Sequence, residues 1–196
     1  MDIQDLHDMA EQLLAVNRLD ELDRALDRAR QRHEDTANPF YFRLCYYKER
    51  LDWARQDWRS AESGFRKLLA QDLPVDLRAR ALRWLGESLH YGGQWQEQLI
   101  LEQEALILSS VLSDDANRAA IYNLMGWAHL RQGRCQDALV AFEHSLRLCQ
   151  GLGSREQEAW ALNNLGVVYL RLGDPDKALD AHRASLTIRQ QEGLRM

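Results

Sequence analysis

Apolar residues recur at spacings of three and four through residues 161–190, where the pattern is most regular. Under this spacing Leu162, Leu165 and Tyr169 fall on one face of a helix. The second half of the segment carries small residues at a similar spacing, namely Ala178, Ala181 and Ser185. The pattern therefore predicts two amphipathic helices that pack closely against each other.

A tight turn separates these two helices. Gly173 can end the first helix, because glycine adopts the left-handed cap conformation most easily. Asp174 can cap the second helix, with Pro175 at its first helical position. The segment thus predicts an antiparallel helix pair with a short connection.

One glycine lies inside the first helix, on its apolar face. A glycine within a helix costs about 1 kcal/mol relative to alanine, so Gly166 predicts a point where another helix crosses too closely for a side chain. Gly126 and Gly86 precede it at intervals of 40 residues. Self-similarity at a fixed period is typical of a solenoid built from stacked helix pairs.

The same repeat can be followed in both directions along the chain. Equivalent positions begin the second helices of four pairs, at Trp58, Trp95, Cys135 and Pro175. The predicted pairs cover about residues 2–33, 38–70, 75–110, 115–150 and 155–192. Glu49 stands where the second pair would have its glycine, so we expect this pair to pack more loosely or at another angle.

These residues resemble the tetratricopeptide repeat (TPR) family. The matching residues are Leu165, Gly166, Tyr169, Ala178 and Ser185 in the last pair and Met125, Gly126, Ala138, Phe142 and Ser145 in the pair before it. The resemblance implies an all-α, right-handed superhelical solenoid of about five antiparallel helix pairs, forming a single array over residues 1–196. The period of 40 is similar to that of Pins/LGN-type scaffolds and of many bacterial TPR signalling proteins.

Composition and charge narrow the class of partner. The net charge of −5 gives no general attraction to nucleic acid or acidic membranes, and 45% hydrophobic residues are ordinary for a soluble protein. No stretch approaches the length of a membrane span, and the amino terminus has no signal-like segment. Cys45, Cys135 and Cys149 lack metal-type spacing, so we expect free thiols in a reducing cytoplasm.

The sequence carries none of the common motifs for catalysis or cofactor binding. The sequence has no glycine-rich phosphate loop, no Gly-x-Ser-x-Gly and no His-Glu-x-x-His. His129 and His182 occupy positions where the repeat favours an aromatic, which indicates packing. We therefore predict no enzyme activity and no catalytic, cofactor-binding or metal-binding residues.

The first helix of each pair lines the concave side of a stacked array. The residues predicted to face this groove, called the groove residues below, are Arg43, Tyr46, Arg50, Trp53, Arg80, Arg83, Glu87, His90, Asn123, Trp127, Arg131, Asn163, Asn164 and Arg171.

The groove residues combine arginines, asparagines and aromatics with a single acid, Glu87. Arginine binds carboxylates through two contacts, asparagine can hold a peptide backbone, and aromatics anchor interfaces. We therefore predict a protein- or peptide-binding scaffold whose partner is an extended or helical acidic segment. The alternative for Asn163 and Asn164 is that they only satisfy neighbouring helices.

Two further hypotheses concern context. The chain resembles the sensor or regulatory TPR segment of a larger bacterial transcription regulator or signalling ATPase, which is the alternative function. The last repeat is the best match to the pattern, and its Leu179, Leu186 and Ile188 can be only partly covered by their own pair. We therefore expect that end to belong to a longer array or to self-associate.

Overall fold

The computed structural model describes residues 2–32 and 38–193, which form ten α-helices and no strand. The all-α prediction is confirmed. The helices are α1 (Ile3–Ala15), α2 (Leu19–Arg32), α3 (Pro39–Ala54), α4 (Trp58–Leu69), α5 (Val75–Tyr91), α6 (Trp95–Val111), α7 (Asp115–Arg131), α8 (Cys135–Gly151), α9 (Arg155–Leu172) and α10 (Pro175–Gln191).

Polar side chains cap several helix starts, including the predicted cap of α10 at Asp174. The Asn38 side chain accepts a hydrogen bond from the Phe40 backbone N–H at 2.9 Å, which caps α3. Asp57 and Asp174 do the same at α4 and α10. Gly173 has φ +81°, the left-handed cap predicted at the end of α9. These local signals explain why helix boundaries can be predicted from the sequence.

The chain forms two compact units, one over residues 1–93 with α1–α5 and one over residues 94–196 with α6–α10. We call these the first and the second unit. The single array over the whole chain stays a prediction. In the second unit a buried apolar cluster joins α8, α9 and α10, and its members are Ala138, Phe142, Leu165, Val168 and Ala181.

The two interior glycines of the second unit lie at close helix contacts. A Cβ added to Gly126 would lie 2.6 Å from Cε1 of Phe142, and one added to Gly166 would lie 2.5 Å from Cε1 of His182. Real Cβ atoms do not approach other atoms so closely, so glycine is required at both positions. The predicted helix crossings and the packing role of His182 are confirmed.

Hydrogen bonds between side chain and backbone also repeat at the 40-residue period. The Ser145 hydroxyl donates to the Ala119 carbonyl at 2.9 Å, and the Ser185 hydroxyl donates to the Ala159 carbonyl at 2.7 Å. Each bond ties the second helix of a pair to the first. Both serines are buried, so these bonds also satisfy hydroxyls that water does not reach.

A buried polar pair replaces the usual small and aromatic residues on α6. Gln98 Nε2 donates to Glu102 Oε1 at 2.8 Å and to the Leu124 carbonyl at 3.3 Å. Both side chains are fully buried. Their departure from the repeat pattern is therefore accommodated by hydrogen bonds within α6 and to α7.

Candidate functional site

In the first unit the groove residues lie on α3 and α5, and acids hold most of their arginines. Arg43 forms an ion pair with Asp76 at 2.8 Å. Arg50 is ion-paired with Glu11 of α1. Arg83 lies 3.4 Å from Glu87, one turn further along α5. The positive charge of this surface is therefore largely neutralised within the unit.

Trp84 lies at the centre of a cluster of aromatic rings and guanidinium groups in the first unit. The Arg83 and Arg50 guanidinium carbons lie 4.2 and 4.5 Å from the centroids of its rings. The Trp53 ring meets it edge-on at 4.7 Å. A cation over a desolvated indole is attracted by about 2 kcal/mol or more. The cluster thus fixes the orientation of two arginines that the sequence alone would leave free.

Burial affects the charged pair at this cluster. The Arg83 and Glu87 side chains are 15% and 19% exposed. Burial raises the pKa of Glu87, while the positive charges of Arg83 and Arg50 partly counteract the rise. Burial lowers the pKa of Arg83. Removal of either charge would leave the other in a poorly solvated position.

Trp58 stacks on Tyr91, with ring centroids 4.1 Å apart and an interplanar angle of 8°. The Trp53 ring meets Trp58 edge-on at 5.1 Å. Trp58, at the start of α4, therefore packs against residues at the ends of α3 and α5. Tyr91 is 55% exposed, so the outer side of the stack faces solvent.

Tyr46 departs from its predicted position in the groove. Its side chain is 3% exposed, and its ring meets Phe65 of α4 edge-on at 6.2 Å. The structure therefore makes Tyr46 a core residue. Helical spacing alone did not separate the core face of α3 from the adjoining groove face, because aromatic residues occupy both.

In the second unit the groove residues form two matching rows. Asn123, Trp127 and Arg131 lie on α7 at intervals of four residues, and Asn163 and Arg171 lie on α9 in the equivalent positions. We call these five residues the α7/α9 face. The rows are joined because Asn164 Nδ2 donates to Asn123 Oδ1 at 2.6 Å.

The asparagines divide between the two interpretations. Asn164 is buried and bonded to Asn123, as expected if it only satisfies a neighbouring helix. Asn163 Oδ1 lies 3.2 Å from His182 Nδ1. The Nδ2 groups of Asn123 and Asn163 donate no hydrogen bond within the part of the chain that the structure describes. Each therefore retains donors for a ligand.

Arg131 and Arg171 are exposed, one near the end of α7 and the other near the end of α9. Neither side chain forms an ion pair with any other residue that the structure describes. Trp127 is half-buried, and its ring packs edge-on against Phe142 with centroids 5.8 Å apart. The α7/α9 face thus combines two exposed cations, amide donors and a rigid aromatic.

Glu11 and Asp76, which form ion pairs with groove arginines of the first unit, were not among the predicted site residues. Glu11 precedes Arg50 by 39 residues, almost one repeat period. A spacing of about one period places residues on consecutive first helices close together, so it is the sequence signal for this ion pair. Asp76 lies in the first turn of α5 and had no comparable signal.

A family profile described as Tetratricopeptide repeat matches residues 77–151 and 138–191, which together are more than half of the chain. The chain belongs to this family. TPR proteins have a scaffold fold that generally mediates interactions between proteins. The narrower resemblance to Pins/LGN-type scaffolds stays a prediction.

Several solved structures are similar to this TPR chain. TM-scores are 0.69 for BtubC (BKLC) from P. vanneervenii, 0.69 for the nearly identical TPR-like repeats of a putative kinesin light chain from Podosopora anserina, and 0.66 for MamA. Identities are 21%, 16% and 17%. The similarities cover 93%, 99% and 100% of this chain and 74%, 97% and 99% of the others. At these identities the likeness shows the fold alone.

A search of curated proteins gave no match. No described helix combines the length and the apolar character needed to cross a membrane. In the described ranges no group of three or more His, Cys, Asp or Glu residues is placed to hold a metal ion.

Proposed function

We propose that this TPR protein binds an extended or helical peptide segment with net negative charge, and that the α7/α9 face is the main contact. The observation that carries the proposal is the exposure of Arg131 and Arg171 in a protein whose net charge is −5. Local positive charge on an acidic protein favours an acidic partner and steers its approach.

The chemistry of the α7/α9 face suits an acidic peptide. The guanidinium groups of Arg131 and Arg171 can each form two hydrogen bonds with a carboxylate. The Nδ2 groups of Asn123 and Asn163 can donate to backbone carbonyls between these charges. Trp127 is held in place by its packing, so it loses little conformational entropy when an apolar side chain of the partner contacts it.

The first unit has a different part in this proposal. Arg43, Arg50 and Arg83 have acidic partners within the unit, which reduces their attraction for an acidic ligand. Contacts there would instead be made by exposed aromatic surface such as Tyr91, which is 55% exposed.

Selection from a random peptide display library tests this function. We expect enriched peptides to contain clustered Asp and Glu, and we expect the double substitution Arg131→Glu and Arg171→Glu to weaken their binding at least tenfold. The matched control is Arg147→Glu with Arg183→Glu, two exposed arginines on the second helices of the same unit. Equal loss of affinity in both double variants would contradict the proposal, because only net charge would then matter.

Self-association through the last repeat is the second part of the proposal. Leu139 and Leu146 of α8 pack against the core of their unit. Leu179 and Leu186, at the equivalent positions of α10, are 48% and 40% exposed. One repeat earlier, the surface formed by Leu139 and Leu146 is covered by the next helix pair. A second copy of this chain could cover Leu179 and Leu186 with one of its own helix pairs.

Sedimentation velocity at several concentrations tests this association. We expect the average mass of the wild-type chain to rise with concentration, and Leu179→Glu to abolish the rise. Leu152→Glu, at another exposed leucine, is the control and should leave it unchanged. A wild-type chain that stays monomeric at high concentration would refute this part.

A further inference from the structure

A cavity of about 410 Å³ lies between α2, α3 and α4 of the first unit, outside the predicted groove. Sites for small molecules typically measure about 300–1,000 Å³. Part of the wall is apolar, formed by Leu26, Phe42 and Leu68. Charged groups from each of the three helices also line it, namely Arg30, Glu49 and Lys67.

The cavity exists because the second repeat departs from the packing seen in the second unit. Cys45 and Lys67 stand 77 residues before Tyr122 and His144, the offset that also separates the first residues of α4 and α8. Tyr122 and His144 stack across α7 and α8, with ring centroids 4.8 Å apart and an interplanar angle of 16°. The smaller thiol and flexible ammonium at the equivalent place leave that space open.

Glu49 is an acidic residue in the wall of the cavity. Its carboxylate lies against the backbone of Gly64, because a Cβ added there would be 1.6 Å from Glu49 Oε2. Within the described ranges the carboxylate accepts no hydrogen bond. A half-buried carboxylate without donors needs a bound proton, a cation or an amine. Arg30 on α2 and Lys67 on α4 provide positive charge at the same cavity.

We propose that this cavity binds a small zwitterion, an amino-acid-like molecule with an apolar side chain. Its ammonium group contacts Glu49, its carboxylate contacts Arg30 and Lys67, and its side chain packs on the apolar wall. A simple anion would be repelled by Glu49 and a simple cation by Arg30 and Lys67. A ligand with both charges satisfies all three groups.

The proposal predicts a pH dependence of binding. Burial raises the pKa of Glu49 to about 7, and its negative charge is needed to hold an ammonium group. We therefore expect affinity to increase from pH 6 to pH 8, where the ligand's ammonium group remains largely protonated. The charged or titratable groups near Glu49 are Asp27 and Arg30 on α2, Tyr41, Cys45, Lys48 and Asp52 on α3, and Lys67 on α4.

Calorimetric titration of the full chain with L-phenylalanine and L-leucine tests the zwitterion site. N-acetyl-L-phenylalanine lacks the ammonium group, and phenethylamine lacks the carboxylate. We expect both to bind at least tenfold more weakly than L-phenylalanine. Glu49→Gln should remove the preference over the acetylated compound, and Lys67→Met should reduce the preference over phenethylamine.

A filled cavity provides the second test. The double substitution Cys45→Tyr and Lys67→His copies the Tyr122–His144 stack into α3 and α4, and we expect it to abolish binding while the melting temperature is kept. If neither amino acid binds, or if N-acetyl-L-phenylalanine or phenethylamine binds as tightly as L-phenylalanine, the zwitterion site is refuted. Undiminished binding to both the filled variant and Glu49→Gln would place the ligand elsewhere and refute it equally.

Discussion

The Glu49 carboxylate on α3 occupies the space that a side chain at Gly64 of α4 would fill. In the second unit this relation is reversed, since Gly126 on the first helix accommodates Phe142 on the second. The glycine at this contact is therefore on the second helix in the second repeat, and on the first helix in the fourth repeat. An acid has entered a helix contact that is otherwise apolar, and a cavity lies beside it.

Glu49 should make stability depend on pH. Its pKa is raised from 4.5 to about 7, chiefly by burial and further by Asp52, although Lys67, Lys48 and Arg30 oppose the rise. The folded state therefore binds the proton more tightly than the unfolded state. The stabilisation that arises from protonation of Glu49 is present at low pH and is lost as pH rises from about 4.5 through 7.

Glu49→Gln removes this titration, so the variant should gain stability relative to wild type as pH rises. Urea unfolding at pH 4.5 and pH 8 measures the difference. Asp180→Asn, at an exposed position on α10, is the control and should show no such trend. A wild-type advantage at pH 8 would mean that ionised Glu49 is stabilised by its neighbours.

Gly126→Ala should destabilise the second unit. The new methyl group would lie 2.6 Å from Cε1 of Phe142, whose side chain is fully buried. Overpacking typically costs about 1–3 kcal/mol. Thermal unfolding followed by circular dichroism measures the change.

Gly151→Ala is the matched control, because an added Cβ there meets nothing within 4 Å. Alanine at this helical position should leave stability unchanged or increase it by up to about 1 kcal/mol. Gly153 is a poorer control, since its φ of +65° disfavours alanine. Equal losses at Gly126 and Gly151 would show that the contact with Phe142 is unimportant.

Local sequence signals were enough to predict the helices and their crossings. The caps at Asn38, Asp57 and Asp174, and the glycines at 126 and 166, each act within one helix pair. The periodicity helped to predict these features, because caps and crossing glycines recur at equivalent positions of several repeats.

The state of the site could not be predicted in the same way. Arg50 and Arg131 look alike in the sequence, yet Arg50 is paired with Glu11 and stacked on Trp84, whereas Arg131 is exposed. The difference arises from side chains on other helices, which single-helix spacing does not report. The cavity beside Glu49 likewise depends on three helices at once.

Arg83→Glu and Arg131→Glu should therefore have different effects on folding. The first would place two acids side by side in a poorly solvated site and remove a cation from Trp84. Breaking a buried ion pair costs about 3–5 kcal/mol. The second alters an exposed residue and should change stability by about 0.5 kcal/mol or less.

Chemical denaturation of the two variants measures this difference. Arg83→Met is a useful companion, because it keeps some packing on Trp84 without adding a second acid. It should fall between wild type and Arg83→Glu. Identical midpoints for Arg83→Glu and Arg131→Glu would show that the Arg83–Glu87 pair does not hold the first unit together.

The central claim is that an acidic segment binds the α7/α9 face. The indole N–H resonance of Trp127, assigned with Trp127→Phe, gives the most direct measurement during titration with a selected acidic peptide. We predict a saturable shift of this resonance, lost with Arg131→Glu and Arg171→Glu and weakened as salt is raised. A peptide that saturates the protein without shifting Trp127, or with equal affinity at low and high salt, would contradict the account.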